Sequence, residues 1–272
     1  MKITEENYHE HYAFGSGDVF NWLKGYRFFL DGRAGEKTRA MVKGSLAHCL
    51  LLEPQAFEER YVVCSLKSTK SKAYGDLVTQ NPDKEVVLES DLDEARLLVA
   101  PFKDSPALIQ AEKEKMLLCD HSGFKLKGKL DAVLDNMLFD FKTTTSIDAF
   151  SYKTALYGYH VQAYHYKLLY SKVSGISIED LKFYFLISEK GSGYSKIVEL
   201  DDVAYSVAQE QHAAALNNAY RVMKERNLSQ EKLLCMKRET VDAYDSKSVA
   251  TVSLPRGYIN QHNMDMEGAE SE

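Results

Sequence analysis

The chain has 272 residues and a formal net charge of −6, from 34 Lys and Arg against 40 Asp and Glu. Hydrophobic residues make up 44% of the chain and charged residues 27%, a composition that excludes collagen-like, coiled-coil and wholly disordered proteins. The longest nearly apolar run, residues 46–52, is too short to cross a bilayer, and the N-terminus does not resemble a signal peptide. We therefore expect a cytoplasmic protein with no membrane partner.

Charge is unevenly distributed along the chain, so the net value decides little about partners. Residues 262–272 contain four acidic residues and no Lys or Arg. Residues 21–43 contain six cations, namely Lys24, Arg27, Arg33, Lys37, Arg39 and Lys43. We expect a single domain over residues 1–260, followed by an acidic, disordered tail over 261–272.

The first half of the chain predicts mostly helices. Residues 18–30 have an amphipathic pattern, and Thr38 is a suitable N-cap for a second helix that runs to Leu52. Short strands are predicted at residues 60–63 and 85–88. Two further helices follow, one from Ser90 to Val99 and one opened by the Asp-Ser-Pro sequence at residues 104–106.

The second half predicts a sheet. Strands are expected at residues 112–119, 124–134 and 137–142, joined by short turns, with strict alternation of apolar and polar residues over 124–134. Ser146 is expected to cap one long helix to Tyr170. Strands at 181–188 and 194–200 and a helix from Asp201 or Asp202 to Glu225 complete the order. This order predicts a mixed α/β fold with a central sheet flanked by helices.

Two acidic residues and a lysine on neighbouring predicted strands suggest a metal site. Asp131 lies on the polar face of its strand, beside a row of lysines that would attract phosphates, while Asp140 and Lys142 share one face of the next strand. A short turn between the strands would bring the two aspartates together. Two carboxylates and a main-chain carbonyl suit a hard divalent ion such as Mg²⁺. A nearby lysine could orient a water for phosphodiester hydrolysis.

Three weaker signals accompany this pair. Gly44 and His48 are four residues apart on a predicted helix, so they share a face and the ring could reach a metal. Gln162 and Tyr166 have the same spacing on a later helix. Glu112 and Glu114 share a face of the strand before Asp131, which leaves two candidates for an upstream acid. Taken singly, each of these signals is more often an ordinary feature of a helix or strand surface.

The order of the motifs is more specific than any one of them. A GxxxH at residues 44–48, an acid, Asp131, the Asp-Phe-Lys of residues 140–142 and a QxxxY at residues 162–166 resemble the RecB-like exonuclease branch of the PD-(D/E)XK nucleases. The chain most resembles the C-terminal nuclease domain of RecE (exonuclease VIII) and its phage relatives. Stretches at residues 44–54, 139–144, 159–162 and 253–256 carry this resemblance, so it covers nearly the whole chain except the tail.

The resemblance implies a role for each motif residue. His48, Asp131, Asp140 and the carbonyl of Phe141 would hold Mg²⁺, with Mn²⁺ as a substitute ion, and Lys142 would be the catalytic lysine. Glu112 matches the upstream acid by spacing, with Glu114 as the fallback. Contact with DNA or support of the active-site geometry would come from Gln162 and Tyr166, with Lys129 as a further DNA contact.

The resemblance also implies an activity and partners. The expected activity is 5′→3′ degradation of linear double-stranded DNA, which releases 5′-mononucleotides and leaves 3′ single-stranded tails. A RecT-like single-strand annealing protein would use these tails, and a homo-oligomeric ring of three or four subunits would enclose the duplex. The cations of residues 21–43, with Lys67, Lys70 and Lys72, are candidate phosphate contacts.

Other functions are compatible with the same motifs. An endonuclease or a 3′→5′ nuclease could use the same core, because the motifs describe the bond that is broken and not the end that is entered. A catalytically inactive nuclease fold that binds DNA or protein is a second alternative. An unrelated metal-binding protein is a third.

Overall fold

A computed structural model describes residues 5–8, 11–31 and 38–242. The predicted tail, the match at residues 253–256 and two of the six cations, Arg33 and Lys37, lie outside these residues. The helices are α1 (Glu5–Tyr8), α2 (Ser16–Lys24), α3 (Tyr26–Asp31), α4 (Arg39–Leu52), α5 (Phe57–Arg60), α6 (Lys72–Gln80), α7 (Glu89–Val99), α8 (Pro106–Gln110), α9 (Phe150–Tyr157), α10 (Tyr159–Ser174), α11 (Asp202–Arg226) and α12 (Gln230–Asp242). The strands are β1 (Tyr61–Cys64), β2 (Glu85–Leu88), β3 (Glu112–His121), β4 (Phe124–Leu134), β5 (Met137–Thr144), β6 (Lys182–Glu189) and β7 (Ser195–Glu199).

The central sheet is mixed, as the sequence predicts. Its five strands lie in the order β3-β4-β5-β6-β7, with β5 and β6 parallel and the other neighbours antiparallel. The parallel pair needs a crossover connection, which α9 and α10 supply. β1 and β2 form a separate parallel pair.

Helices cover both faces of the sheet. On one face α2, α10 and α11 enclose a core that includes Trp22, Leu130 and Phe185. On the other face α4 and α7 enclose a second core that includes Leu46 and Phe141. The successive residues of β5 alternate between the two cores, as expected for a strand buried on both sides. The expectation of a central sheet flanked by helices is confirmed.

The predicted long helix from Ser146 to Tyr170 is wrong, because Gly158 divides it. Gly158 has φ +72°, a left-handed conformation that ends α9 and precedes α10. A Cβ atom at this position would lie 2.4 Å from the Phe20 ring, so glycine also permits the close approach of α2. The cap at Ser146 is also wrong, since α9 begins at Phe150 after Ala149.

Other element predictions hold more closely. Thr38 caps α4 by accepting a hydrogen bond from Met41 N, and Asp201 caps α11 in the same way through Ala204 N. The predicted helix over residues 18–30 is two helices, because Gly25 with φ +115° separates α2 from α3. The sequence reading missed α6 and α12.

The N-terminal segment occupies part of the β4 edge that β5 leaves open. Phe14 N donates to Lys125 O, and Lys127 N donates to Phe14 O. The Lys127 ammonium donates to the carbonyls of Tyr8 and His11 at 2.8 and 3.0 Å. Lys127 therefore anchors the N-terminal segment, and the row of three lysines predicted to face phosphate is not a uniform surface.

Candidate active site

The two aspartates lie where β4 and β5 part. The hydrogen-bonded register between these strands runs from Leu134–Met137 to Ala132–Phe139, so Asp131 and Asp140 come directly after its last pair. Asp131 Oδ2 accepts the backbone N–H of Phe141 at 2.7 Å and thereby extends the ladder with a side chain. The short turn predicted between the strands is present, and it brings both carboxylates to one place.

An irregularity in β4 turns Asp131 out of the ladder. Leu130 belongs to the core beneath α10, whereas Ala132 belongs to the core beneath α4, so the strand changes face at Asp131. Opposite it, Glu114 has φ +53° and falls between the paired residues Lys113 and Lys115. Irregularities of this kind often redirect side chains at functional sites.

Asp140 and Lys142 form a buried ion pair on β5. Lys142 Nζ lies 2.5 Å from Asp140 Oδ2, and Asp140 is 1% exposed. Burial raises the pKa of Asp140 to about 6 against the opposing effect of Lys142. Burial alone would lower the pKa of Lys142, but Asp140 and Asp131 together raise it above its usual value. Lys142 is therefore held as an ammonium ion.

His48 approaches the same point from α4. Its Nδ1 lies 3.5 Å from Asp131 Oδ2, and its ring meets the Phe141 ring edge-on at 5.2 Å between centroids. Burial and the charge of Lys142 lower the pKa of His48, so the neutral imidazole is favoured. Gly44, one turn earlier, lies beside Thr143, at a distance that would also accommodate a Cβ atom. The GxxxH spacing thus places a neutral imidazole beside the two carboxylates.

The QxxxY pair lies on α10 behind the aspartates. Gln162 lines the cleft described below and donates from Nε2 to the Tyr166 hydroxyl at 3.3 Å. Tyr166 is 8% exposed, and burial raises the pKa of its hydroxyl, as do the charges of Asp140 and Tyr8. Of the two roles expected for Tyr166, its burial favours support of the site geometry over direct contact with DNA.

The structure reverses our preference between the two upstream acids. Glu112 is exposed and pairs with Lys115, away from the cleft. Glu114 lines the cleft, pairs with Lys129 and lies close enough to Asp131 for that charge to raise its pKa, in addition to the larger effect of burial. The left-handed residue Glu114 interrupts the alternation of the strand, so the two acids do not share one face as their spacing predicts.

One open cleft of about 1150 Å³ is lined by His48, Glu114, Asp131, Lys142 and Gln162, whereas Asp140 and Tyr166 do not line it. Several of its charged side chains are paired: Lys142 with Asp140, Lys129 with Glu114, Arg60 with Glu53, and Lys237 with Asp18. Lys24 also lines it and lies over the Phe20 ring. Lys190 lines the cleft from the end of β6.

The four described cations of residues 21–43, all predicted phosphate contacts, are engaged within the chain. Arg39 and Lys43 both pair with the buried Asp91 at the start of α7, and Lys43 also pairs with Glu94 at 2.5 Å. Arg27 pairs with Asp31 on the surface. Lys67, Lys70 and Lys72 are exposed but do not line the cleft. Lys24 alone of the described cations in this segment lines the cleft.

The donor set suits a hard divalent ion. Asp140 Oδ2 is buried, and no donor within the described ranges gives it a well-directed hydrogen bond despite its contact with Lys142. The neighbouring Asp131 and His48 supply oxygen and nitrogen, and Phe141 presents its carbonyl to the same side as the N–H that Asp131 accepts. Over residues 5–8, 11–31 and 38–242, no three His, Cys, Asp or Glu side chains already form a closed cluster.

Sequence reasoning missed several cleft residues. Tyr159 lies under the Lys142 ammonium at 5.1 Å, and Lys237 reaches the cleft from α12, more than 200 residues from its partner Asp18. Arg60 forms two hydrogen bonds with Glu53 at 2.7 and 3.0 Å. Only Tyr159 had a signal, since it belongs to the resembling stretch at residues 159–162.

Comparison with known proteins identifies the fold. Residues 28–241 match the family described as PDDEXK-like domain of unknown function (DUF3799). The crystal structure of a protein from Eubacterium rectale, provisionally described as an exonuclease, has a TM-score of 0.59 and 16% identity over 94% of this chain and 97% of that one. A phage-related exonuclease from Haemophilus somnus 129PT has a TM-score of 0.32 and 11% identity over 79% of this chain and 96% of that one.

A search of curated proteins gives no match. The family match confirms the resemblance to PD-(D/E)XK nucleases. In the part of the chain that the structure describes, no helix is long and apolar enough to span a membrane.

Proposed function

The chain belongs to the family of PDDEXK-like domains that matches residues 28–241, and from this membership and the site geometry we propose that it is a metal-dependent exodeoxyribonuclease acting on linear double-stranded DNA. The observation that carries the proposal is the meeting of Asp131, Asp140 and Lys142 where β4 and β5 part, with Asp131 and Lys142 lining a cleft of about 1150 Å³. The provisional description of the Eubacterium rectale protein supports the choice of an exonuclease.

Each residue of the proposed site has a role that follows from its position. Asp131, Asp140, His48 and the Phe141 carbonyl would hold Mg²⁺ or Mn²⁺, which would stabilise negative charge on the scissile phosphate. The Lys142 ammonium can donate a hydrogen bond to a water, which orients it for in-line attack, or to a phosphate oxygen, which stabilises the charge there. Glu114 is assigned as the upstream acid in place of Glu112.

Groups packed behind the proposed metal ligands hold these ligands in place. The Phe141 N–H orients Asp131, and the hydroxyl of Tyr166 packs beneath Asp140 with Gln162 bonded to it. Burial of these groups excludes water from one side of the site, which strengthens the electrostatic interactions within it. Gln162, at the surface of the cleft, is the member of the pair that we propose contacts DNA.

Three further features are proposed from the resemblance alone. They are 5′→3′ polarity with 3′ single-stranded tails, a homo-oligomeric ring of three or four subunits, and use of the tails by a RecT-like annealing partner. A role in DNA recombination follows from these features. An acidic protein that grips DNA weakly would gain most from a ring that encloses the duplex.

Digestion of end-labelled linear duplex with and without Mg²⁺ tests the activity and its polarity together. We expect Mg²⁺-dependent release of 5′-mononucleotides from 5′ ends, and no cutting of a covalently closed circle. Lys142→Ala and Lys142→Arg should each lower the rate by about 10²- to 10⁴-fold, because general acid–base groups contribute on that scale. Lys196→Ala, an exposed lysine of β7 outside the cleft, is the matched control.

Each alternative function predicts a different outcome of the same digestion. Cutting of the closed circle would establish an endonuclease, and release from 3′ ends would establish the opposite polarity. Binding of DNA without cleavage at any Mg²⁺ or Mn²⁺ concentration would establish an inactive nuclease fold. Wild-type cleavage by Lys142→Ala would show that the active site lies elsewhere.

A further inference from the structure

A group of lysines lies just beyond the catalytic end of β5, outside the set of motif residues. Lys153, from α9, donates to Thr144 Oγ1 at 2.7 Å and to Thr145 Oγ1 at 2.8 Å. The backbone N–H of Lys190 donates to the Thr144 carbonyl at 2.8 Å. Both lysines are thus fixed to the end of the strand that carries Asp140 and Lys142.

A third lysine approaches from α4. Lys43 precedes Gly44, whose position beside Thr143 brings the helix onto the end of β5. Burial lowers the pKa of Lys190, and the positive charges of Lys43 and Lys153 lower it further against the opposing charge of Glu94. The charges of Lys43 and Lys153 therefore both act on the Lys190 ammonium.

The nearby carboxylates are engaged with other partners. Glu94 accepts from Lys43 Nζ at 2.5 Å. Glu189 accepts from the N–H of Ile147 and the hydroxyl of Ser192, each at 2.8 Å. Among the described residues, Lys153 and Lys190 form no ion pair within 4 Å, whereas most cleft cations are paired. The charges of Glu189 and Glu94 act on Lys153 and Lys190 respectively, but among the described residues neither ammonium is in direct ionic contact with a carboxylate, so both can take an external anion as a partner.

The position of this group relates it to the proposed reaction. Lys190 lines the same cleft as His48 and Asp131. Thr145 follows Lys142 by three residues, a distance of about 10 Å along an extended strand. A phosphate bound there would belong to the same DNA strand as the scissile phosphate, a few nucleotides away.

We propose that Lys153 and Lys190 form a phosphate-binding subsite that holds a backbone phosphodiester of the DNA strand being cut. The subsite rests on the proposed nuclease function and extends it. Lys43 stays paired with Asp91 and Glu94 and is not part of the subsite. The hydroxyl of Thr145 is a further donor to the bound phosphate when Lys153 turns towards it. The subsite fixes the register of the strand, so it acts on binding of substrate and not on the chemical step.

DNA binding and DNA cleavage by three variants test this subsite: Lys153→Ala, Lys190→Ala and the double variant. Lys196→Ala is the matched control. Each single variant should raise KM about 5- to 10-fold with kcat nearly unchanged, as for the removal of one charge-assisted hydrogen bond. In metal-free binding to linear duplex, the slope of log K against log salt should fall by about 0.9 for each duplex phosphate that the variant no longer neutralises, or by about 0.7 for each single-strand phosphate.

Substrates with one neutral methylphosphonate linkage locate the bound phosphate. One position, a few nucleotides from the scissile bond, should weaken cleavage by wild type but have no further effect on the double variant, because that variant no longer has the side chains that bind this phosphate. If the double variant has the same KM, salt slope and methylphosphonate profile as wild type, the subsite proposal is wrong. The nuclease proposal would remain intact. A wild-type protein that cleaves no DNA would instead overturn the nuclease proposal, and the metal-free salt slopes would then still decide whether these lysines bind phosphate.

Discussion

The ammonium of Lys142 lies 5.1 Å from the centre of the Tyr159 ring, on the first residue of α10. The same ammonium contacts Asp140, so it is held between a carboxylate and an aromatic face. If Asp140 binds a metal ion, the carboxylate can no longer hold the lysine to the same extent. The face of the Tyr159 ring would still contact the ammonium, so we expect Tyr159 to act as a positioning residue for Lys142.

Replacement of the Tyr159 ring should lower kcat while leaving KM unchanged. Tyr159→Leu removes a cation–π interaction worth about 0.5–2 kcal/mol, which corresponds to a decrease of roughly 2- to 30-fold in rate. Tyr159→Phe keeps the ring and should retain most of the activity. Steady-state kinetics on linear duplex measure both parameters, and equal decreases for Leu and Phe would argue against positioning by the ring.

Substitution of each candidate upstream acid in turn should show which of the two is needed for activity. Glu114→Gln removes a charge beside Asp131 and should lower the Mg²⁺-dependent rate by about 10-fold or more. Glu112→Gln removes only an exposed pair with Lys115 and should leave the rate within about two-fold of wild type. Initial rates of the two variants under identical conditions give the comparison. The reverse order would restore the assignment based on spacing.

The buried histidine pair should make the protein sensitive to acid. His165 Nε2 donates to the Lys127 carbonyl at 3.0 Å, so its Nδ1 must accept from His212 Nε2, also at 3.0 Å. Both rings are then neutral, and burial lowers the pKa of His165 to about 4 and of His212 to about 3. Protonation of either ring would break this arrangement.

The sign of the pH effect follows from these directions. The unfolded chain binds protons at a pKa near 6.5, above the folded values, so the stabilisation is complete above pH 6.5 and is lost as pH falls towards 4. Between pH 7 and pH 5 the free energy of unfolding should fall by on the order of 2 kcal/mol for each histidine. Urea titrations measure this slope. The double variant His165→Gln/His212→Gln should show a shallower dependence, and an unchanged slope would exclude the pair as its source.

A methyl group at Gly158 should destabilise the fold through two separate effects. The left-handed conformation costs a residue with a side chain about 1–2 kcal/mol, and the clash with Phe20 adds about 1–3 kcal/mol. Gly158→Ala should therefore lower the free energy of unfolding by about 2–5 kcal/mol. In a Phe20→Ala background the same substitution should cost only the conformational part. Urea unfolding of wild type, Gly158→Ala, Phe20→Ala and the double variant gives the four free energies of a double-mutant cycle. If Gly158→Ala costs the same in both backgrounds, the Phe20 ring does not contribute to the loss of stability.

The sequence predicts well the elements whose signals are local. The bounds of β2 and β4 follow from apolar runs between turns, and the caps at Thr38 and Asp201 follow from one side chain each. The break at Gly158 does not follow, because a glycine within a helical pattern is usually tolerated and only the approach of Phe20 from a distant helix decides its conformation. That approach is a property of the packed fold.

The candidate site also contains residues that local sequence signals predict and residues that they do not. Asp131, Asp140 and Lys142 could be found because period-two alternation and a short turn fix their meeting. The importance of Glu114 over Glu112 could not, since it depends on one left-handed residue within a strand. The expectation that the cations of residues 21–43 contact phosphate also depends on distant residues. Arg39 and Lys43 are paired with acids of α7 that lie about fifty residues later in the chain.

Asp131 completes the strand ladder with its own carboxylate, and this makes it unlike the other acids of the site. One of its oxygens is committed to the Phe141 N–H, so the architecture of the sheet and the proposed metal share a single side chain. Removing this carboxylate would leave a main-chain donor without its partner as well as abolish a ligand. Asp131 variants would therefore report a mixture of folding and chemistry, and inactive protein for DNA-binding studies is better made at Lys142.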